Sequence, residues 1–208
     1  MFIKLNNKLA ALRSKLHAFS EDRSGAAAVE FVFIATLLIT LYLGTQQVSL
    51  SLNMNKKIGR SASAVGDMIA QKDQEILLSD LQNIMKIGAA SLLPYAKSKP
   101  EITVTGINAT GGTGGKVEFS QRLNTNGTFS VPVPKDGTIS DVDSRVNFAG
   151  TFLVRVNIKL RYQMITSWRT GQEVDSDGNA WIPMSETYYL RPRNSDQIVC
   201  KSLACTAL

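Results

Sequence analysis

The first strong pattern along the chain is an apolar run, AAAVEFVFIATLLITLYLG, from Ala26 to Gly44. Nineteen helical residues rise about 28 Å, close to the hydrocarbon thickness of a bilayer. One charge, Glu30, interrupts the run near its N-terminal end. From Thr45 to Arg60 most faces turn polar, while Val48, Leu52 and Ile58 recur at helical intervals, so the helix is predicted to continue for several turns beyond the apolar part. Gly59, Ser61, Ser63 and Gly66 loosen the pattern before Val65, Met68 and Ile69 resume it, and Gln71–Glu75 reads as a turn. A second helix follows. Ser79 with Gln82 three residues on predicts a capping box, Leu77, Leu81, Ile84, Gly88 and Leu92 form one face, and Pro94 ends it. That face is expected to pack on the domain's own sheet.

Beyond Pro100 the period changes to two. Ile102, Val104 and Gly106 alternate with threonines and predict a strand. Gly111-Gly112-Thr113-Gly114-Gly115 reads as a flexible loop; it lacks the Gly-Lys-Ser/Thr ending and following helix of a phosphate cradle. Val117–Gln121 and Thr128–Val133 read as strands around a turn at Asn124–Gly127, with Pro132 and Pro134 placing the second at an edge. The clearest strand runs from Thr151 to Met164. Its even positions are apolar from Phe152 to Met164, while Arg155, Asn157, Lys159, Arg161 and Gln163 fill most odd ones, which predicts one buried face and one solvated face. A hairpin between Trp168 and Trp181 and a last strand at Thr187–Leu190 complete the pattern. Asp175-Ser176-Asp177-Gly178-Asn179 looks like the start of a calcium loop. The sixth position is Ala180 rather than glycine, although Glu186 matches the twelfth, and a hairpin turn fits the stretch better.

Charge and composition narrow the function. The 208 residues carry a net charge of +6, and mean hydropathy is −0.02, which excludes a polytopic membrane protein. Lys4, Lys8, Arg13, Lys15 and Arg23 all precede the apolar run, so the positive-inside rule leaves the N-terminus in the cytoplasm and the long C-terminal part outside. The basic balance therefore reflects a charged N-terminal head, and no nucleic-acid partner is expected. The lone histidine, His17, lies in that head, so a Ser-His-Asp triad, a Cys-His pair or a His-rich metal site lacks its partners. No catalytic residue, metal or cofactor is expected. Cys200 and Cys205 are the two cysteines; outside the cytoplasm they are expected to pair as a disulfide, and inside it they would stay free thiols.

A secretory signal places small residues after its apolar region, at the cleavage site. Here Ser24–Ala28 come before it. Type IV pilins use that reversed order, with a leader ending in glycine and a glutamate fifth in the mature chain. Gly25 then ends a 25-residue leader, Ala26 opens a mature chain of 183 residues, and Glu30 falls at the fifth place. RSGAAAVEFVFIATLLITLYLG (Arg23–Gly44) resembles the TadE/TadG-like minor pilins of tight-adherence (Flp) systems, and ETYYLRPRNSDQIVC (Glu186–Cys200) is similar to a C-terminal signature of their longer members.

The resemblance implies a single-pass bacterial inner-membrane protein with a periplasmic C-terminal domain, processed by a prepilin peptidase that recognises Gly25 and Glu30 and cuts before Ala26. It also implies that Glu30 pairs with the new amine of Ala26 on a neighbouring subunit, which sets the axial register. The partners expected are the inner membrane, the peptidase, and other pilin and tight-adherence machinery subunits. The fold expected is α+β: a long N-terminal transmembrane helix, then a periplasmic domain with an antiparallel sheet packed on a second helix. The segments are a cytoplasmic leader over 1–25, the transmembrane helix and its extension over 26–60, a helical region over 61–95 and a mainly β domain over 96–208. Two other functions stay open. One is an uncleaved signal-anchored envelope scaffold. The other is an exported adhesin-like module using Trp168, Trp181, Tyr188 and Tyr189.

Overall fold

The structure, a computed structural model, describes residues 24–93, 99–163, 173–174, 180–202 and 205. The leader up to Arg23, Pro94, Met164, Trp168 and the Asp175–Asn179 stretch lie outside the described residues. The architecture is α+β. Two helices, α1 (Ser24–Ala70) and α2 (Leu78–Ser91), accompany an antiparallel sheet and one small parallel pair. The chain divides into two compact units, one up to Val48 and one from Ser49 onward.

In the first unit α1 is a helix whose large apolar side chains, from Val29 to Val48, are exposed. In the second unit Met54, Ile58, Ala62, Val65 and Ile69 form one buried stripe at spacings of three and four. Val48 and Leu52 do not belong to it and are exposed. At about 100° per residue, Ile58 lies well off the line through those two positions. The small residues expected to loosen the helix do not interrupt it; they are where other elements come close. Ser61 Oγ donates to Gly88 O at 2.9 Å, and Gly66 faces Leu190.

After β1 (Glu75–Ile76), Leu77 is the N-cap of α2 and makes no side-chain capping hydrogen bond, so the Ser79–Gln82 capping box does not form. The helix starts two residues too early for Ser79 to sit at the N-cap. Its buried face is Leu81, Ile84, Met85, Gly88 and then Leu92, while Leu77 is exposed.

The sheet comprises β2 (Glu101–Gly111), β3 (Gly114–Leu123), β4 (Phe129–Ser130), β5 (Thr138–Ile139), β6 (Phe152–Gln163), β7 (Glu173–Val174) and β8 (Ala180–Leu190). Its order is β4-β3-β2-β6-β8-β7, with β5 also on β3, and every pairing is antiparallel. β4 sits at an edge, as expected, but it is two residues long and ends before Pro132 and Pro134. The even positions of β6 from Phe152 to Leu160 are buried, as the alternation predicts. They join α1, α2 and β2 in the main core, with Ile102, Val104 and Phe119 fully enclosed.

The opposite face is not uniformly solvated. The segment from Val133 to Val146 folds over one end of it and closes a second core of Ile107, Ala109, Val117, Ile139, Val142 and Leu153. The Gly111–Gly115 loop is likewise held. Gly112 and Thr113 make a tight turn between β2 and β3, Gly111 and Gly112 have φ of 89° and 67°, and buried Asn147 donates to Gly112 O at 3.0 Å and Gly114 O at 2.7 Å. After β8 the chain returns to the end of α1, and β9 (Val199–Cys200) pairs parallel with β1.

Candidate functional site

Among the described residues α1 is the one helix long and apolar enough to cross a membrane. Alanine and leucine favour the helix, and its hydroxyls are satisfied within it. Thr36 Oγ1 donates to Val32 O at 2.7 Å, Thr40 Oγ1 to Thr36 O at 2.8 Å, and Thr45 Oγ1 to Leu41 O at 2.9 Å. A hydrocarbon medium demands that internal pairing, because it offers no water to orphaned polar groups.

Gly25, Ala26 and Glu30 occupy the first two turns of α1, and all three are exposed. Ala26 and Glu30 are four apart and so share a face, one turn or about 6 Å along the axis. A Cβ built on Gly25 meets no described atom within 4 Å, and Gly25 has no positive φ. Among the described residues, packing therefore does not explain a glycine at this position.

Cys200 and Cys205 are paired as a disulfide with Cα atoms 6.1 Å apart, and both are buried. They belong to a C-terminal clasp on the end of α1. Arg193 N donates to Ala70 O at 2.9 Å, capping an otherwise open helix carbonyl, and its guanidinium pairs with Asp67. Asn194 Nδ2 reaches Gln71 O at 3.0 Å, and fully buried Ile198 anchors the segment in the core. Lys201 Nζ meets Glu75 Oε2 at 2.9 Å, and that hydrogen bond raises the lysine above its ordinary pKa.

The other sequence-predicted residues scatter. Tyr188 and Tyr189 take opposite faces of β8: Tyr188 lies beside Gly59 of α1, whereas Tyr189 Oη donates to Asp141 O at 3.4 Å on the far side. With Trp168 outside the described residues, no single aromatic site is assembled from the described ones. Glu186 sits mid-strand opposite Ile158 and accepts from Asn55 Nδ2 at 2.8 Å, so it is already engaged as a strand residue. Of the three basic residues on the odd face of β6, Lys159 and Arg161 are exposed. Arg155 is not a solvated charge: its side chain keeps 15% exposure and pairs with Asp141 at 2.7 Å. That pair borders a polar cleft of about 630 Å³ with Asn157, Thr187 and Tyr189. Nearby, Arg145 holds the Asp143 carboxyl below its usual range through a side-chain hydrogen bond. No group of three His, Cys, Asp or Glu among the described residues is placed to hold a metal ion.

Sequence reading missed the clasp contacts Asp67–Arg193 and Ala70–Arg193, and the Asn55–Glu186 bond. These partners are more than 100 residues apart, and no local spacing signals them. No family model, curated protein or solved structure matches this chain.

Proposed function

We propose that this chain is a membrane-anchored minor pilin or pilin-like subunit that takes part in assembling a tight-adherence (Flp-type) pilus. The observation that carries the reading is the start of α1. A glycine whose added Cβ would meet no described atom stands five residues before the single charge of a membrane-length apolar run, and the helix that carries the run continues as an element of an α+β unit. Gly25 is then a recognition residue for a prepilin peptidase that cuts before Ala26. The basic head keeps the N-terminus cytoplasmic and sends the α+β unit to the periplasm, where the Cys200–Cys205 disulfide is maintained. A carboxylate at the bilayer edge needs a partner. Glu30 finds it in the freed amine of a neighbouring subunit's Ala26, which fixes the axial step. The intact mass of the membrane-extracted protein tests this: a product of 183 residues is expected, and a chain retaining residues 1–25 refutes processing. Gly25→Ala should accumulate precursor, whereas a simple anchored scaffold would be indifferent to it.

A further inference from the structure

Among the described residues the sheet is open along most of one side of β8. β6 pairs with one side of it from Trp181 to Leu190, whereas β7 covers only Ala180 and Trp181 on the other. Among the described residues no strand pairs with that second side from Ile182 to Leu190. In an antiparallel ladder every second residue points both its main-chain groups away from its partner, so this stretch presents a row of donors and acceptors that no strand among the described residues pairs. Natural edges are usually blunted by lysine, proline or a bulge. β8 has Pro183 near its start, but Ser185–Leu190 carries one charge, Glu186, and that side chain is engaged by Asn55.

Beside this edge, Glu186, Tyr188 and Leu190 form one wall of a cleft of about 740 Å³, and α1 forms the other. The even residues of β8 face α1: Glu186 meets Asn55, Tyr188 lies against Gly59, and Leu190 lies against Gly66. The rim is basic. Arg193 is taken by Asp67, but Lys56 and Arg60 are exposed and have no ion-pair partner among the described residues.

An open strand edge beside a helix, with two cations above it, fits main-chain addition by an extended segment whose acidic side chains meet the rim. A second copy fits less well, because a two-fold pairing of β8 edges brings the same two cations of each copy together. We propose that the cleft between α1 and β8 takes an extended, carboxylate-bearing segment of a partner protein, which adds to β8 as a strand. Lys56 and Arg60 meet its acidic side chains. The site lies within the unit from Ser49 onward and does not depend on cleavage before Ala26.

The full chain in zwitterionic detergent micelles, titrated against a fluorescein-labelled octapeptide of alternating valine and glutamate, tests this by fluorescence anisotropy. Saturable binding is expected. N-methylation of alternate peptide amides should weaken it by about tenfold or more, because it removes the ladder and leaves the charge. Lys56→Glu with Arg60→Glu should weaken it to a similar extent, about tenfold, and both residues are exposed enough to be changed without disturbing the core. Failure to saturate, equal affinity for the N-methylated peptide, or indifference to the double substitution would overturn the proposal. So would sedimentation showing that the unliganded chain dimerises through this edge and that the peptide dissolves the dimer.

Discussion

Gly88→Ala is the substitution that most directly separates packing from propensity. In an isolated helix it should stabilise, because glycine in a helix interior costs about 1 kcal/mol relative to alanine. Here a Cβ on Gly88 would lie 2.3 Å from Cγ2 of Val65, 3.5 Å from Cδ1 of Ile102 and 3.7 Å from Oγ of Ser61. Val65 is fully buried and its branched side chain has little rotamer freedom on a helix, so it cannot swing aside. Reaching an ordinary carbon separation requires α1 and α2 to part by about 1.5 Å. That shift stretches the 2.9 Å bond from Ser61 Oγ to Gly88 O. Overpacking costs about 1–3 kcal/mol and a weakened hydrogen bond about 1 kcal/mol, against about 1 kcal/mol gained in propensity. The net expectation is a loss of about 1–3 kcal/mol, or a fall in Tm of roughly 2–12 °C for a unit of this size. Thermal unfolding of the full chain in detergent, followed by tryptophan fluorescence, measures it. Adding Val65→Ala should recover part of the loss, because the two positions are coupled. A Gly88→Ala protein as stable as the parent, or strictly additive losses in the double variant, would refute the reasoning.

Further outcomes follow from other parts of the molecule. Leu38→Arg places a charge mid-way along the apolar stretch of α1, so it should cost about 3 kcal/mol of insertion and shift the protein toward the carbonate-extractable fraction. Cys205→Ser, or reduction of the parent, opens a small loop and should lower the stability of the unit from Ser49 onward by about 2 kcal/mol, read as a lower denaturant midpoint. Lys201 and Lys135 are raised above the usual 10.5 by hydrogen bonds to Glu75 and Glu118. A base raised on folding contributes in full below its unfolded value and loses that contribution as pH climbs through the folded one, so stability should decline above pH 10.5. Glu75→Gln with Glu118→Gln should flatten that alkaline decline. Asp143, lowered from 3.8 by Arg145, contributes above 3.8 and loses it as pH falls through the folded value. Arg145→Ala should therefore blunt the acid limb of the same denaturant-midpoint profile.

The legible parts of this fold are those where one periodicity runs unopposed. The apolar stretch of α1 is apolar on every face and legible from its length, and the even positions of β6 bury a single face and are legible from their spacing. The capping box failed because a short motif near a helix start is cheap, and the backbone entered α2 at Leu77 before Ser79 could serve. Met85 lies beside Ile84 on the same buried face, which is broader than the stripe of Leu77, Leu81, Ile84, Gly88 and Leu92 that the spacing predicts. At the candidate site, the spacing of Gly25, Ala26 and Glu30 was visible, since all three lie on one helix. The clasp was not. Arg193 reaches Asp67 and Ala70 only once the sheet has brought the end of β8 back to α1.

The second core shows why alternation misled on the odd face of the sheet. Val117 and Phe119 have the same parity, yet Phe119 lies in the main core and Val117 in the other. The pairing of β2 with β3 explains it: Gly106 faces Phe119 and Ile107 faces Val117, leaving Glu118 as the extra residue of a bulge. That one insertion turns the strand over: before it Val117 faces the second core, and after it Phe119 and Leu123 face the main core. The exposed valine would be costly, and Ile139 and Val142 from the long connection cover it. Glu118, displaced by the bulge, is held by Lys135 from that same connection. Arg155 loses its solvent for the same reason, because the covering segment also delivers Asp141 to it. A bulge, a covering loop and two ion pairs are thus consequences of one extra residue. Deleting Glu118 should return Val117 to the helix-facing side, strip the second core of its centre and free both Lys135 and the connection to exchange with solvent. Hydrogen exchange at Ile139 and Val142 would register this as lost protection, while Ile102 and Val156 in the main core keep theirs.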